Sequence, residues 1–209
     1  MKEELFFTLK EISEWVKPGS LVDIPISQRG LVWKPRKVEL LWDSLLRGFP
    51  IGSFMLSDVA DGQSDAKYYL MDGQQRFNAI RLGFNNERNA NAMLWIDVNP
   101  PVVKGSTRVY WVRATTEAHP LRQTWPYFAK CPIPLFLFLS ASIETQEDFV
   151  RDIMNGFDSF CPSPEYKKQV HIGYNEYSYI RNKLYDTFIR LKEYKVGCWH
   201  LSVDLSMLL

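Results

Sequence analysis

Apolar residues recur along this chain with two different periods, and the switches between them mark its elements. Thr8 and Glu11 have the spacing of a helix capping box. Leu9, Ile12 and Val16 follow at helical spacing, and Pro18-Gly19 ends that helix. Residues 21–26 form a β-prone run, and 27–34 read as a loop. Pro35 suits the first position of a helix. Val38, Leu41, Trp42 and Leu45 then occupy i, i+3, i+4 and i+7, the stripe of an amphipathic helix that Gly48 and Pro50 close. Two strands, 53–56 and 67–71, flank a polar loop at 58–65. A helix from about residue 73 to 82 follows, with Phe77, Ile80 and Phe84 on one face.

Further strands are predicted at 93–98 and 108–113, joined through an Asn99-Pro100-Pro101 turn. Residues 115–135 are broken by proline and read as irregular. From about Thr145 the pattern is mostly helical. Val150, Ile153, Met154 and Phe157 form one stripe, and Ser163-Pro164 signals a new helix start. Tyr177, Ile180, Leu184, Phe188 and Leu191 form a longer stripe. Gly197 is expected to end it, before a strand at 199–205. The pattern predicts an α+β fold. A small mixed sheet with flanking helices occupies residues 1–115, and 116–209 form a mainly helical extension of the same domain. The apolar finish, Leu205-Ser206-Met207-Leu208-Leu209, has neither cap nor polar tail. It raises the expectation that the chain is the N-terminal part of a longer protein.

Composition narrows the functional classes. The chain has 209 residues, 46% of them hydrophobic, enough for a sizeable core. Its net charge is +1, so a role on nucleic acid has to rest on a local patch. The charged start and the absence of a long apolar run predict a cytoplasmic protein with no membrane partner. Cys131, Cys161 and Cys198 are scattered, as are His119, His171 and His200. No CxxC, HExxH or nucleophile elbow is present, which argues against a disulfide framework, a zinc centre or triad chemistry.

The informative segment is Asp72-Gly73-Gln74-Gln75-Arg76, between an apolar strand and an amphipathic helix. Strand-to-helix turns hold phosphates because the helix N-terminus offers unpaired N–H groups and a partial positive charge. Asp72 and Gln75 also fit a capping box of D-x-x-Q form, which is the plain structural reading. Capping leaves three residues over. Gly73 is costly in a helix and suits close approach to a ligand. Arg76 puts a cation at the wrong end of the helix dipole, where a bound anion would offset it. Gln74 has no capping role and can orient a ligand or water. On this reading Gly73, Gln74, Gln75 and Arg76 cradle the phosphates of a nucleoside triphosphate. Asp72 binds Mg²⁺ or positions the attacking water.

A second segment, residues 24–33, contains Arg29, a bidentate donor for phosphate, and Trp33, a flat face that serves equally as core. Three motifs now stand in order. Ile24, Pro25, Gln28, Arg29 and Trp33 form IP-x-x-QR-x-x-x-W, and Arg47, Gly48, Pro50, Ile51, Gly52 and Ser53 form RG-x-PIGS. Asp72–Arg76 completes the set. This order resembles the DGQQR-type domain, the ParB/sulfiredoxin-like module of modification-dependent restriction systems such as GmrSD and of related phage-defence proteins. The resemblance is specific over about residues 5–85 and weak beyond Met93. It implies a nucleotide-binding, NTP-hydrolysing domain with Arg29 and Asp72–Arg76 as site residues. DNA would be engaged through the full-length protein, and cutting would belong to an HNH-type nuclease domain or subunit. Two departures are Ser27, where an aromatic residue is common, and the absence of any HNH-like histidine and asparagine pattern.

Lys34, Arg36 and Lys37 make a small basic cluster beside Trp33, open to reading as a nucleic-acid contact or as a solvated helix start. Residues 164–195 interleave tyrosines with basic residues, a pattern that fits a core-packed helix better than a nucleic-acid surface. Two rival readings stay open. One is a DNA-recognition module that uses no nucleotide. The other is an interaction scaffold in which the pentapeptide only caps a helix.

Overall fold

A computed structural model describes residues 2–24, 33–59, 65–87, 92–100, 104–115, 130–161 and 164–202. Along the chain the strands are β1 (Lys2–Thr8), β2 (Val22–Asp23), β3 (Phe54–Asp58), β4 (Tyr68–Asp72), β5 (Met93–Asp97), β6 (Val112–Thr115), β7 (Pro132–Pro134) and β8 (Lys195–Leu201). The helices are α1 (Leu9–Ser13), α2 (Pro35–Leu46), α3 (Gln74–Gly83), α4 (Leu135–Ser140), α5 (Gln146–Phe160), α6 (Pro164–Gln169), α7 (Tyr174–Ser178) and α8 (Tyr185–Glu193). A π-helical turn, Tyr179–Leu184, joins α7 to α8. The α+β expectation holds: a mixed five-stranded sheet, ordered β1-β8-β3-β4-β2, is flanked by helices. A second, antiparallel sheet has the order β6-β5-β7.

Local signals account for many of these elements. The Thr8 hydroxyl accepts from the Glu11 amide at 3.2 Å, and the Glu11 carboxylate accepts from the Thr8 amide at 2.7 Å. Helix α2 starts on Pro35 and buries Val38, Leu41, Trp42 and Leu45. Helix α3 buries Phe77 and Ile80. Trp15, rather than Val16, enters the core, because α1 stops at Ser13 and the next turn rotates the indole inward. That indole packs edge-on against Phe54 and stacks on Phe77, so it ties α1 to β3 and α3.

Several expectations are corrected. The charged start, residues 1–4, leads into a strand that the pattern does not predict: β1 is paired along its whole length, Lys2–Thr8, with β8. The strand expected at 108–113 begins at Val112, because the Val109 and Tyr110 amides donate to the buried Asp43 carboxylate instead of a ladder. The irregular stretch ends earlier than 135. Pro132 and Pro134 lie in edge strand β7, where a missing donor is tolerated, and the apolar run after them is the buried helix α4. Gly197 does not end the last helix. That helix stops at Glu193, and β8 starts at Lys195 with Val196, Cys198 and His200 turned inward. Tyr177, expected on the apolar stripe, stays outside it: α7 buries no residue and the stripe begins at Ile180.

Strand β8 lies between β1 and β3, antiparallel to the first and parallel to the second. The end of the described chain therefore supplies an inner strand to a sheet whose other strands come from the first 72 residues.

Candidate functional site at the start of helix α3

Strand β4 carries the chain out to Asp72, and Gly73 turns it into α3. Gly73 is the N-cap, in the left-handed region at φ 99°, and no side chain caps the helix. The Asp72–Gln75 capping box is therefore not formed. Asp72 is still in the strand, paired with Met55, and the Gln75 Oε1 accepts from the Trp33 amide at 3.1 Å. Gly73 also has a different rationale from ligand approach. A Cβ there would sit 2.3 Å from Cδ1 of Phe54, so both packing and backbone require glycine.

Arg76 reaches back over the end of β3. Its Nη1 donates to the Ile51 carbonyl at 2.9 Å and its Nη2 to the Ser53 carbonyl at 2.8 Å. Nη2 also stands 3.3 Å from Oδ2 of Asp72, and the guanidinium lies 5.3 Å from the centre of the Phe54 ring. Gly52 admits this fork: at φ 82°, a Cβ would lie 2.4 Å from Nη1. The cation at the wrong end of the dipole is thus matched by two carbonyl dipoles and a carboxylate. The RG-x-PIGS motif at 47–53 and the DGQQR motif at 72–76 interlock through one side chain.

Two residues of the pentapeptide remain turned outward. The Asp72 side chain is 69% exposed, and Gln74 is half-buried at the first helical position. Trp33 is half-buried against the core, with the Lys37 ammonium 5.8 Å from its ring. Lys34, Arg36 and Lys37 are exposed around the start of α2. The structure therefore gathers Asp72, Gln74, Gln75, Arg76 and Trp33 at one turn. Arg29 and His119 lie outside the described residues. Among the described residues no three carboxylate, imidazole or thiol groups converge on one point. A cation on Asp72 would draw its other ligands from phosphate and water.

The sequence reading missed a buried charged node next to α2. Glu39 accepts from Arg108 at 2.7 Å and from Arg113 at 3.1 Å, with all three side chains largely buried. Burial lowers the Arg113 pKa despite its carboxylate partner. Asp43, one turn further along α2, holds the backbone at 109–110 and pairs with Arg47 at 3.4 Å. Glu39 and Asp43 sit at i, i+4 directly beside the apolar stripe, and that adjacency was the available signal.

No helix among the described residues is long and apolar enough to cross a membrane. No curated protein matches the chain. One family model does, described as the GmrSD restriction endonuclease N-terminal domain, over residues 9–199. The match runs from α1 to Trp199 in β8 and includes the interlocked turn, the second sheet, the larger sheet apart from β1 and the end of β8, and the helical second half. The chain belongs to the family of GmrSD restriction endonuclease N-terminal domains, and so to a restriction protein of the kind that defends against phage.

Proposed function

We propose that the turn from β4 into α3 holds the phosphates of a nucleoside triphosphate, and that the domain regulates a restriction protein through that nucleotide. The observation that carries the reading is a ten-residue helix with no side-chain cap, beginning beside an exposed carboxylate. Its first-turn N–H groups are oriented for an anion, and Asp72 is placed to hold Mg²⁺ or a water on that anion. Gln74 supplies an amide at the same edge. Arg76 acts here as a positioning residue, which fixes the turn and aims Asp72. Arg29, on the resemblance, completes the phosphate grip. DNA recognition and cleavage belong to the rest of the full-length protein, through an HNH-type nuclease domain or subunit, which fits the DGQQR-type, ParB/sulfiredoxin-like assignment.

Calorimetric titration with Mg²⁺-ATP and Mg²⁺-GTP tests this. Wild type should bind at least one of them, and Asp72→Ala should weaken binding at least tenfold. The melting temperature of that variant should stay within about 3 °C, since an exposed carboxylate contributes little stability. A folded wild type that binds no triphosphate in the presence of Mg²⁺ would remove the reading.

A further inference from the structure

At the opposite end of α3, about 15 Å from the turn by helix rise, a cleft opens where α1, α3, α4 and α8 pack on one another. It has two chambers that share Lys10, Phe84 and Asn86 as a common wall. The first holds about 560 Å³ and has an apolar floor of Leu9, Phe84, Phe136, Leu139 and Leu191. Asn86, Ser140 and Lys192 stand at its edge. The second holds about 570 Å³ and is polar and cationic. Lys10, Lys17 and Arg81 line it, answered by Glu87 in its wall and by Glu14, which stands 3.0 Å from both lysines. Asn78 lines this chamber as well, and its Nδ2 is buried with no hydrogen-bond partner.

We infer that this cleft is a second small-molecule site, one that takes an aromatic phosphate of mononucleotide size. Each chamber falls in the volume range of small-ligand pockets, and such pockets favour an apolar body with a few convergent polar groups. Phe84 and Phe136 line the apolar chamber and offer faces to a flat ring, and the Lys10 ammonium lies 5.6 Å from the Phe84 ring centre. Asn86 and Ser140 offer hydrogen bonds to the edge of that ring. A phosphate attached to it enters the adjoining chamber, where Lys17 and Arg81 supply charge and Asn78 supplies an amide. Neither chamber alone satisfies both halves of such a ligand. The shared wall makes them one site.

The probe is AMP, titrated at low ionic strength in EDTA, so that no Mg²⁺-dependent site contributes. Wild type should bind AMP at least tenfold more tightly than adenosine or inorganic phosphate alone. Binding should weaken at least tenfold in the double variant Lys17→Glu, Arg81→Glu and change less than twofold in Asp72→Ala. Lys17 and Arg81 are exposed, and the Lys17–Glu14 pair lost in the double variant is a surface one, so that variant should stay folded and melt within about 5 °C of wild type. Amide shifts on AMP addition should centre on Lys10, Phe84 and Phe136. Absence of AMP binding overturns the inference, as does phosphate binding equal to AMP. Loss of AMP binding in Asp72→Ala, with the Lys17/Arg81 variant unaffected, also overturns it and assigns the ligand to the α3 turn instead.

Discussion

Arg76 shows how a residue chosen for ligand chemistry can be held by structural chemistry. Its guanidinium donates to the carbonyls of Ile51 and Ser53 at the entry to β3. Removing it deletes both bonds and the contact with the Phe54 ring together. Arg76→Ala should lose about 2–3 kcal/mol in urea denaturation, the scale for hydrogen bonds to a charged group. Gly52→Ala should lose about 1–3 kcal/mol, because the methyl group collides with Nη1 and the backbone is left-handed. The double variant should cost less than the sum, since both disrupt one contact. Strict additivity would mean that the two residues do not meet.

Asp97 gives a residue-scale prediction for pH. Burial raises its pKa above the ordinary 3.8, against the amides of Cys131, Lys130 and Asn99, which pull it down. A raised folded value means that this group favours folding when protonated. Its contribution is fully present below the unfolded value and is lost as pH rises through the folded one. The stability of wild type relative to Asp97→Asn should therefore fall as pH rises through the mildly acidic range just above 3.8. A difference that is flat across that range, measured by denaturation at several pH values, would contradict this.

At the scale of elements, α2 and α3 are joined by a close approach that one glycine permits. A Cβ on Gly83 would lie 2.0 Å from Cζ2 of Trp42, whose indole N–H donates to the Ala79 carbonyl at 2.9 Å. Gly83→Ala, in the last turn of α3, forces Trp42 to move. It should destabilise by about 1–3 kcal/mol, the cost of overpacking, where helix propensity alone favours alanine. A stabilised variant would show that the two helices can separate freely. The strands carry a second check. Cys131 and Cys198 have thiols pushed up to about 12 by burial, while Cys161 is partly exposed. A thiol reagent on the native protein should label Cys161 and spare the other two.

At the scale of the molecule, two devices fasten distant parts of the chain to one another. One is β8, without which β1 has no ladder partner and β3 keeps only β4. A chain ending at residue 115 should show no cooperative unfolding transition, because it lacks an inner strand of its larger sheet. The other is the node of Glu39 with Arg108 and Arg113, which ties α2 to β6 and the segment before it. Glu39→Ala leaves two buried guanidinium groups facing each other and should cost about 3–5 kcal/mol.

What the sequence alone determined was local. The Thr8–Glu11 box, the Pro35 start and the stripes of α2 and α3 are encoded within a few residues of one another, so spacing suffices to read them. The motif order that marks the family was legible for the same reason. The place of β8 was not, because Lys195–Leu201 finds partners far off in the chain, at Lys2–Thr8 and at Phe54–Ser57. Nor was the division of labour inside Asp72–Arg76. A capping box and an anion cradle share one pattern. Only the Phe54 ring beneath Gly73, and the carbonyls of Ile51 and Ser53 facing Arg76, decide that three of the five residues build the turn. Asp72 and Gln74 are the two left over from that work, the first with a side chain 69% exposed and the second half-buried.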